Sequence, residues 1–210
     1  MEWKLIVRDR RHARWLKQAQ GGDSEAFGRL YDELLTPVAD YLARRVASPQ
    51  DAEDLVATVF HRMLKSLARF DPSRGSALGW ALTIARHALI DHLRQTRDTI
   101  PVEDLAEVLA GSWQDPLEGL IRTEQADRIL ARLGEMPAAT REMVELHYAQ
   151  GLRLKDVGDL LGLSEDAVKQ RLSRARRELR DHLRTEEVDH EARRPGPAAA
   201  RGPDAATAGR

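Results

Sequence analysis

GLRLKDVGDLLGLSEDAVKQRLSRARRELRDHL, residues Gly151 to Leu183, divides into two helical segments around Gly162-Leu163-Ser164. Val157, Leu160 and Leu161 give the first segment an apolar face. Ser164 suits the N-cap of the second, where its side-chain oxygen can take an orphan N–H of the opening turn. Beyond it Val168, Leu172, Ala175, Leu179 and Leu183 recur at helical spacing and predict one buried stripe. The opposite face carries Gln170, Ser173, Arg174 and Arg177, flanked by Lys169, Arg171, Arg176 and Arg180. A helix apolar on one side and guanidinium-rich on the other, entered through a glycine-containing turn, is the geometry of a helix-turn-helix recognition helix. The plainer alternative is a solvated basic face on a bundle helix. Basic residues so outnumber Glu178 and Asp181 here that contact with DNA is the stronger reading.

The rest of the composition agrees with a helical chain. At 210 residues one or two domains are expected, each able to bury a core. Ala, Leu, Arg and Glu dominate while aromatic and β-branched residues are few, which predicts an all-α fold. The formal net charge of −1 does not itself announce a nucleic-acid partner, but the charge is segregated, and local fields steer a phosphate backbone. Cysteine is absent, which excludes disulfides, thiolate metal sites and thiol catalysis. No apolar run approaches membrane-spanning length and Met1-Glu2-Trp3 opens no signal-peptide core, so a soluble cytoplasmic chain without membrane insertion is expected.

Upstream, residues 1–14 are charged and uneven (Arg8, Arg10, Arg11, Arg14) and are expected to be a flexible lead-in. Helical patterning starts at Trp15 and Leu16, breaks at Gly21-Gly22, resumes after a cap at Asp23 or Ser24, and is punctuated by Pro37. Ser48-Pro49-Gln50-Asp51 is a strong helix start, with a capping Ser, Pro at the first position and an acid three residues after the cap. The helix it opens places Leu55, Val56, Val59, Phe60, Met63, Leu64 and Leu67 on an apolar face. Asp51, Glu53 and Asp54 in its first turn serve either the helix dipole or an acidic docking tip for a basic partner.

Phe70 to Ser76 reads as a loop broken by Pro72 and Gly75, followed by a largely buried helix from Ala77 to Arg97. Arg86, Arg94 and Arg97 lie close to one side of that helix, beside an aromatic-bearing loop. Such a stripe suits single-stranded nucleic acid, whose bases stack on rings while Arg tracks phosphates. Trp80 alone reads as core. From Asp98 to Leu120 six acids occur with no Lys or Arg, interrupted by Pro101, Gly111, Pro116 and Gly119: an acidic linker. Arg122 to Leu133 and Ala138 to Ala149 predict two amphipathic helices closing over the helix-turn-helix, and the Ala/Pro/Gly/Arg-rich residues 185–210 predict a disordered tail.

Together these pieces resemble an extracytoplasmic-function (ECF) sigma factor of bacterial RNA polymerase. Three motifs carry the resemblance in order: DAEDLVATVF (Asp51 to Phe60), FDPSRGSALGWALTIARHALIDHLR (Phe70 to Arg94), and the block from Leu152 through VKQRLSRARREL. The resemblance implies an all-α fold of two small helical domains joined by the acidic linker. A sigma-two-type bundle would span 15–97, the linker 98–121 and a sigma-four-type helix-turn-helix domain 122–184. The implied partners are core RNA polymerase through its β′ coiled coil and β flap, promoter DNA and an anti-sigma factor, with no cofactor and no metal. Asp51, Asp54, Leu55 and Phe60 fall in the segment that docks on core. Phe70, Arg74, Ser76, Arg86 and His87 fall at the minus-ten element, where a base flipped from the non-template strand must be captured. Lys169, Gln170, Ser173, Arg174 and Arg177 match positions facing the minus-thirty-five element. The sequence departs from the family pattern at Ala57, Thr58 and Val59, where Gln-Glu-Thr is common. It departs also at His87, where Asn is common, and at Ala167, a frequent Thr.

The linker is consistent with work done on a larger machine. A free coil of its length averages roughly 28 Å end to end and cannot exceed about 80 Å. Elements two duplex turns apart lie ~70 Å from each other. A partner that holds it extended is therefore expected. Two rivals remain. A stand-alone helix-turn-helix regulator would read palindromic half-sites without polymerase and leave the linker and the Phe70–Ser76 loop without a task. An enzyme lacks support, because His61, His87 and His92 show no metal spacing and Ser73 and Ser76 have no His–acid signature. No catalytic residue is expected.

Overall fold

The computed structural model describes residues 2–96, 102–111 and 124–193. All regular elements among them are helical: α1 (Glu2–Gln20), α2 (Ser24–Ala43), α3 (Pro49–Ser66), α4 (Ala77–Thr96), α5 (Val102–Ala110), α6 (Glu124–Gly134), α7 (Ala138–Val144), α8 (Leu154–Leu161) and α9 (Glu165–Arg193). A single 3-10 turn, Leu67–Arg69, follows α3, and α7 runs on into a wider π-helical turn, Glu145–Ala149.

The first four helices form one bundle, with α2 at its centre against α1, α3 and α4. Leu30, Leu34, Val38, Tyr41 and Leu42 put one stripe of α2 into the core, opposite Val59 and Met63 of α3 and Leu82, Ala85 and Leu89 of α4. The helix starts are set by capping. Asp23 accepts the Ala26 N–H at 3.0 Å, and Ser48 accepts that of Asp51 at 3.4 Å ahead of Pro49.

Three expectations are corrected here. Residues 2–14 are not a loose lead-in but the body of α1, whose inner stripe is His12, Leu16 and Ala19. The patterning hid this because a fully buried histidine, held by Glu33, stands where an apolar residue was sought. Pro37 does not punctuate α2, which passes through it. The buried residues on either side, Leu34 and Val38, anchor both halves of the helix despite the missing backbone N–H. Leu64, counted on the apolar face of α3, is 55% exposed.

The second bundle forms around α9, with α6, α7 and α8 against it. Val168, Leu172 and Ala175 are buried as the spacing predicted, while Leu179 and Leu183 are half-buried. The turn between α8 and α9 depends on two glycines. Gly162 adopts φ 68°, a left-handed conformation that closes α8. At Gly158 a Cβ would stand 2.6 Å from the Leu163 carbonyl oxygen, so only hydrogen fits. Ser164 accepts the Ala167 N–H at 3.2 Å and starts α9. That helix continues to Arg193, past the expected start of the tail at 185, and residues 194–210 lie outside the described part. Within the linker, α5 docks on α7 and buries Leu109 and Ala110, while Arg97 and residues 112–121 are outside the described part.

The two bundles touch. Helix α8 packs on α4, and one apolar core runs through both. Buried charges also join them. The Arg45 guanidinium, wholly buried, meets the Glu145 carboxylate with Nη2 to Oε2 at 2.5 Å, and Arg44 donates to the same carboxylate at 2.8 Å. Arg45 also donates to the carbonyls of Tyr41 (2.7 Å) and Leu109 (2.8 Å), tying in the linker helix. Arg86 pairs with Glu142 at 3.2 Å, and burial pushes the Glu142 carboxyl above its ordinary range despite Arg86 and Arg45 beside it.

Candidate nucleic-acid interface

On α9 the apolar stripe fixes the rotation of the helix and thereby turns the basic residues outward. Lys169, Gln170, Arg174 and Arg177 are exposed and Ser173 is half-buried between them, so all five expected minus-thirty-five residues share one open groove. Asp166 is the acid on its lining. Long guanidinium and amide side chains on a helix start of this kind can reach base edges in a major groove, and the flanking cations can neutralise phosphates.

The expected minus-ten residues are less uniform. Phe70 stacks face to face on Trp80, with centroids 4.3 Å apart and planes 17° from parallel. Sequence reasoning assigned Trp80 to the core, yet it is half-buried and forms the floor of a depression with Phe70, Arg74 and Gly79. Two flat rings beside an exposed Arg74 can hold a splayed base between stacking and phosphate attraction. The loop is shaped locally: Asp71 accepts from the Ser73 backbone N–H at 2.9 Å and its hydroxyl at 2.8 Å, which holds the Asp71 carboxyl below its ordinary range.

Ser76 is buried, and its hydroxyl is used to cap α4, accepting the Gly79 N–H at 3.0 Å. Arg86 and His87 lie about 15 Å further along α4. They are not brought to the loop: Arg86 is engaged by Glu142, and His87 is exposed. Sequence spacing alone could not separate these roles, because it records no partner from the other bundle.

Of the expected docking residues, Asp54 is exposed, and Asp51 lies 3.8 Å from His92. Leu55 and Phe60 are core residues, each only 6% exposed, and so do not themselves present a docking surface. The Phe60 ring packs on Tyr31 (centroids 4.4 Å), and the apolar groups that reach solvent beside it are Tyr31 and Leu64. Among the described residues no group of three or more His, Asp or Glu could hold a metal, and no helix is long and apolar enough to cross a membrane.

A helical bundle bearing an aromatic loop, followed by a helix-turn-helix bundle, defines a sigma-70-type transcription factor. The profile of Sigma-70 region 2 matches residues 30–99 and that of Sigma-70, region 4 matches residues 126–179. The chain belongs to the ECF sigma factors. It is 34% identical to the ECF sigma factor SigF of Caulobacter vibrioides, over 78% of this chain and 88% of that one. It is 30% identical to BldN of Streptomyces coelicolor, over 78% of this chain but 62% of that protein's length. It spans 43% of the length of a further relative, the probable sigma factor RfaY of Xanthomonas campestris. Among solved structures the fold is similar to that of CnrH in complex with the cytosolic domain of CnrY. The TM-score is 0.54 and the identity 24%, with 83% of this chain and 98% of that chain covered. It is also similar to RpoE of Bartonella quintana in complex with the anti-sigma factor NepR, with a TM-score of 0.52, 21% identity and coverage of 75% and 96%.

Proposed function

We propose that this chain directs transcription initiation, binding core RNA polymerase and reading two promoter elements without catalytic chemistry of its own. The observation that carries the reading is the outward basic face of α9, held in register by Val168, Leu172 and Ala175. Arg174 and Gln170 read base edges of the minus-thirty-five element, and Lys169, Ser173 and Arg177 contact its backbone. Phe70, Trp80 and Arg74 receive the unstacked base of the minus-ten strand. Residues 2–96 serve as bundle, the stretch 98–121 as linker and residues 124–193 as second reader, a division supported by the two matched regions.

Core polymerase is met through the outer side of α3, where Asp54 and Leu64 are exposed, with the β flap as second contact. This work takes place in the cytoplasm. An anti-sigma factor is a further partner, as the solved structures of CnrH with CnrY and RpoE with NepR suggest by analogy. Capture of core RNA polymerase by the tagged chain, followed by run-off transcription on genomic fragments, tests the reading. Polymerase-dependent, fragment-specific transcripts are expected. Specific duplex binding that needs no polymerase, with no transcripts, would replace it by a stand-alone regulator.

A further inference from the structure

Beside the loop from Phe70 to Ser76 runs a second groove, which the loop forms with α1. Its volume is about 220 Å³, and Ile6, Arg10 and Ala13 of the helix line it together with Pro72 and Gly75 of the loop. Gly75 and Ser76 also line the depression that holds Phe70 and Trp80, so the loop is a wall common to both hollows. Gln20 ties the end of α1 to the start of the loop, donating to the carbonyls of Leu67 at 2.9 Å and Phe70 at 2.7 Å. The cations of α1 divide into two sets. Arg8 is engaged by Gly151 and Asp9, and Arg11 by Glu33. Arg10, Arg14 and Lys17 are exposed and meet no carboxylate among the described residues. With 3.6 residues per turn these three fall within an arc of about 60°, on the side where Ile6, Arg10 and Ala13 face the loop. Arg69 and Arg74, also exposed, continue the positive band onto the loop.

We propose that this groove is a second site for the separated promoter strand: nucleotides next to the base held at Phe70 and Trp80 cross the loop and lay their phosphates along Arg10, Arg14 and Lys17. The inference rests on the role given to the loop under the proposed function. Cations that lie on one line and have no acids of their own are what a phosphate backbone neutralises. The acids nearby do not cancel them. Asp9 on the groove wall lies 3.2 Å from Arg8 and 3.3 Å from Arg153, and Asp71 is held by Ser73 within the loop. Ile6, Ala13 and Pro72 offer base edges no side-chain donor or acceptor, so the groove positions the strand without reading its sequence. One strand and not a duplex is the occupant, because the adjoining loop receives an unstacked base. Helix α1 ends before the matched Sigma-70 region 2, which starts at residue 30, so the track is added to that region from outside it.

The test measures how binding of the full chain to fluorescent oligothymidine, and to a fluorescent duplex, falls with salt. For Arg10→Ala combined with Arg14→Ala and Lys17→Ala, the slope of log K against log salt is expected to shrink by about two on the single strand, three phosphate contacts at roughly 0.7 each. On the duplex, held by α9, the slope is expected to stay as it is. Arg10→Lys with Arg14→Lys keeps the charges and is expected to keep the strand slope, since a phosphate accepts a lysine as a point charge. Arg29→Ala with Arg62→Ala and Lys65→Ala removes the same charge from exposed positions away from the groove and is expected to leave both slopes unchanged. All these positions are exposed, and equal thermal midpoints confirm that the variants fold. A strand slope in the α1 triple variant equal to that of the unmodified chain overturns the track, as does an equal loss on strand and duplex. Capture of core polymerase and run-off transcription are scored separately. A chain that initiates while its strand slope ignores the triple substitution removes only this inference, and one that shows the slope change but never captures core removes the proposed function instead.

Discussion

The backbone N–H of Ser76 donates to Asp156 Oδ1 at 3.0 Å across eighty positions of sequence, joining the start of α4 to the first turn of α8. Gly79, one turn further along α4, lies under the same aspartate. Gly79→Ala should therefore press on Asp156 and strain the contact between α4 and α8 without changing any charge. The thermal midpoint should fall, although alanine itself favours the helix by up to about 1 kcal/mol.

The buried pair of Arg45 and Glu145 leads to a second prediction. Removing one partner of a buried pair typically costs ~3–5 kcal/mol, because the other charge is left without compensation. Here the loss can be limited by opening, which lets water reach Arg45. Glu145→Gln should thus lower the thermal midpoint modestly while greatly increasing amide hydrogen exchange at Leu109, Ala110 and the π-helical turn.

Gly158→Ala should damage the helix-turn-helix itself. Its Cβ would press on the Leu163 carbonyl oxygen, which cannot rotate away, and overpacking of this kind costs ~1–3 kcal/mol. Circular dichroism melts should show the loss, and minus-thirty-five binding should fall with it.

Arg174→Ala should reduce promoter-specific transcription by about tenfold or more, the equivalent of ~1–3 kcal/mol of lost base discrimination. Capture of core polymerase should be unchanged, since Arg174 lies on the exposed face of α9.

His12 supplies a pH test. Its Nε2 lies 2.7 Å from Glu33 Oε2 and its buried Nδ1 has no partner, the pattern of a neutral ring donating from Nε2. Burial lowers its pKa below the ordinary 6.5, against the opposing pull of Glu33. The unfolded chain then binds the proton more readily, so this contribution to stability is present above about pH 6.5 and is lost as pH falls through it. The thermal midpoint of the unmodified chain should drop between about pH 7.5 and pH 5.5, and His12→Gln should flatten that part of the profile.

What could be read from the sequence was what repeats along one helix or closes one turn. The α9 stripe, the Ser48 and Ser164 caps and the Gly162 turn are local, so spacing and residue type announced them. What escaped was set by distant partners. Arg45 and Glu145 stand a hundred residues apart, and Glu142 looked like any acid on an amphipathic helix until α4 brought Arg86 to it. Leu64 and Phe60 share an apolar pattern, yet only the packing of Tyr31 decides which of them is covered. The five residues proposed for the minus-thirty-five element were legible as one face of α9 for that reason, while those expected at the loop and on α3 were not legible as single surfaces.

The strap made by Arg8 and Asp9 on the turn before α8 ties the first helix to the second bundle across 143 positions of sequence. A deletion or bulky fusion that disturbs the opening turns of α1 should therefore be felt at the far bundle, whose own residues it leaves untouched.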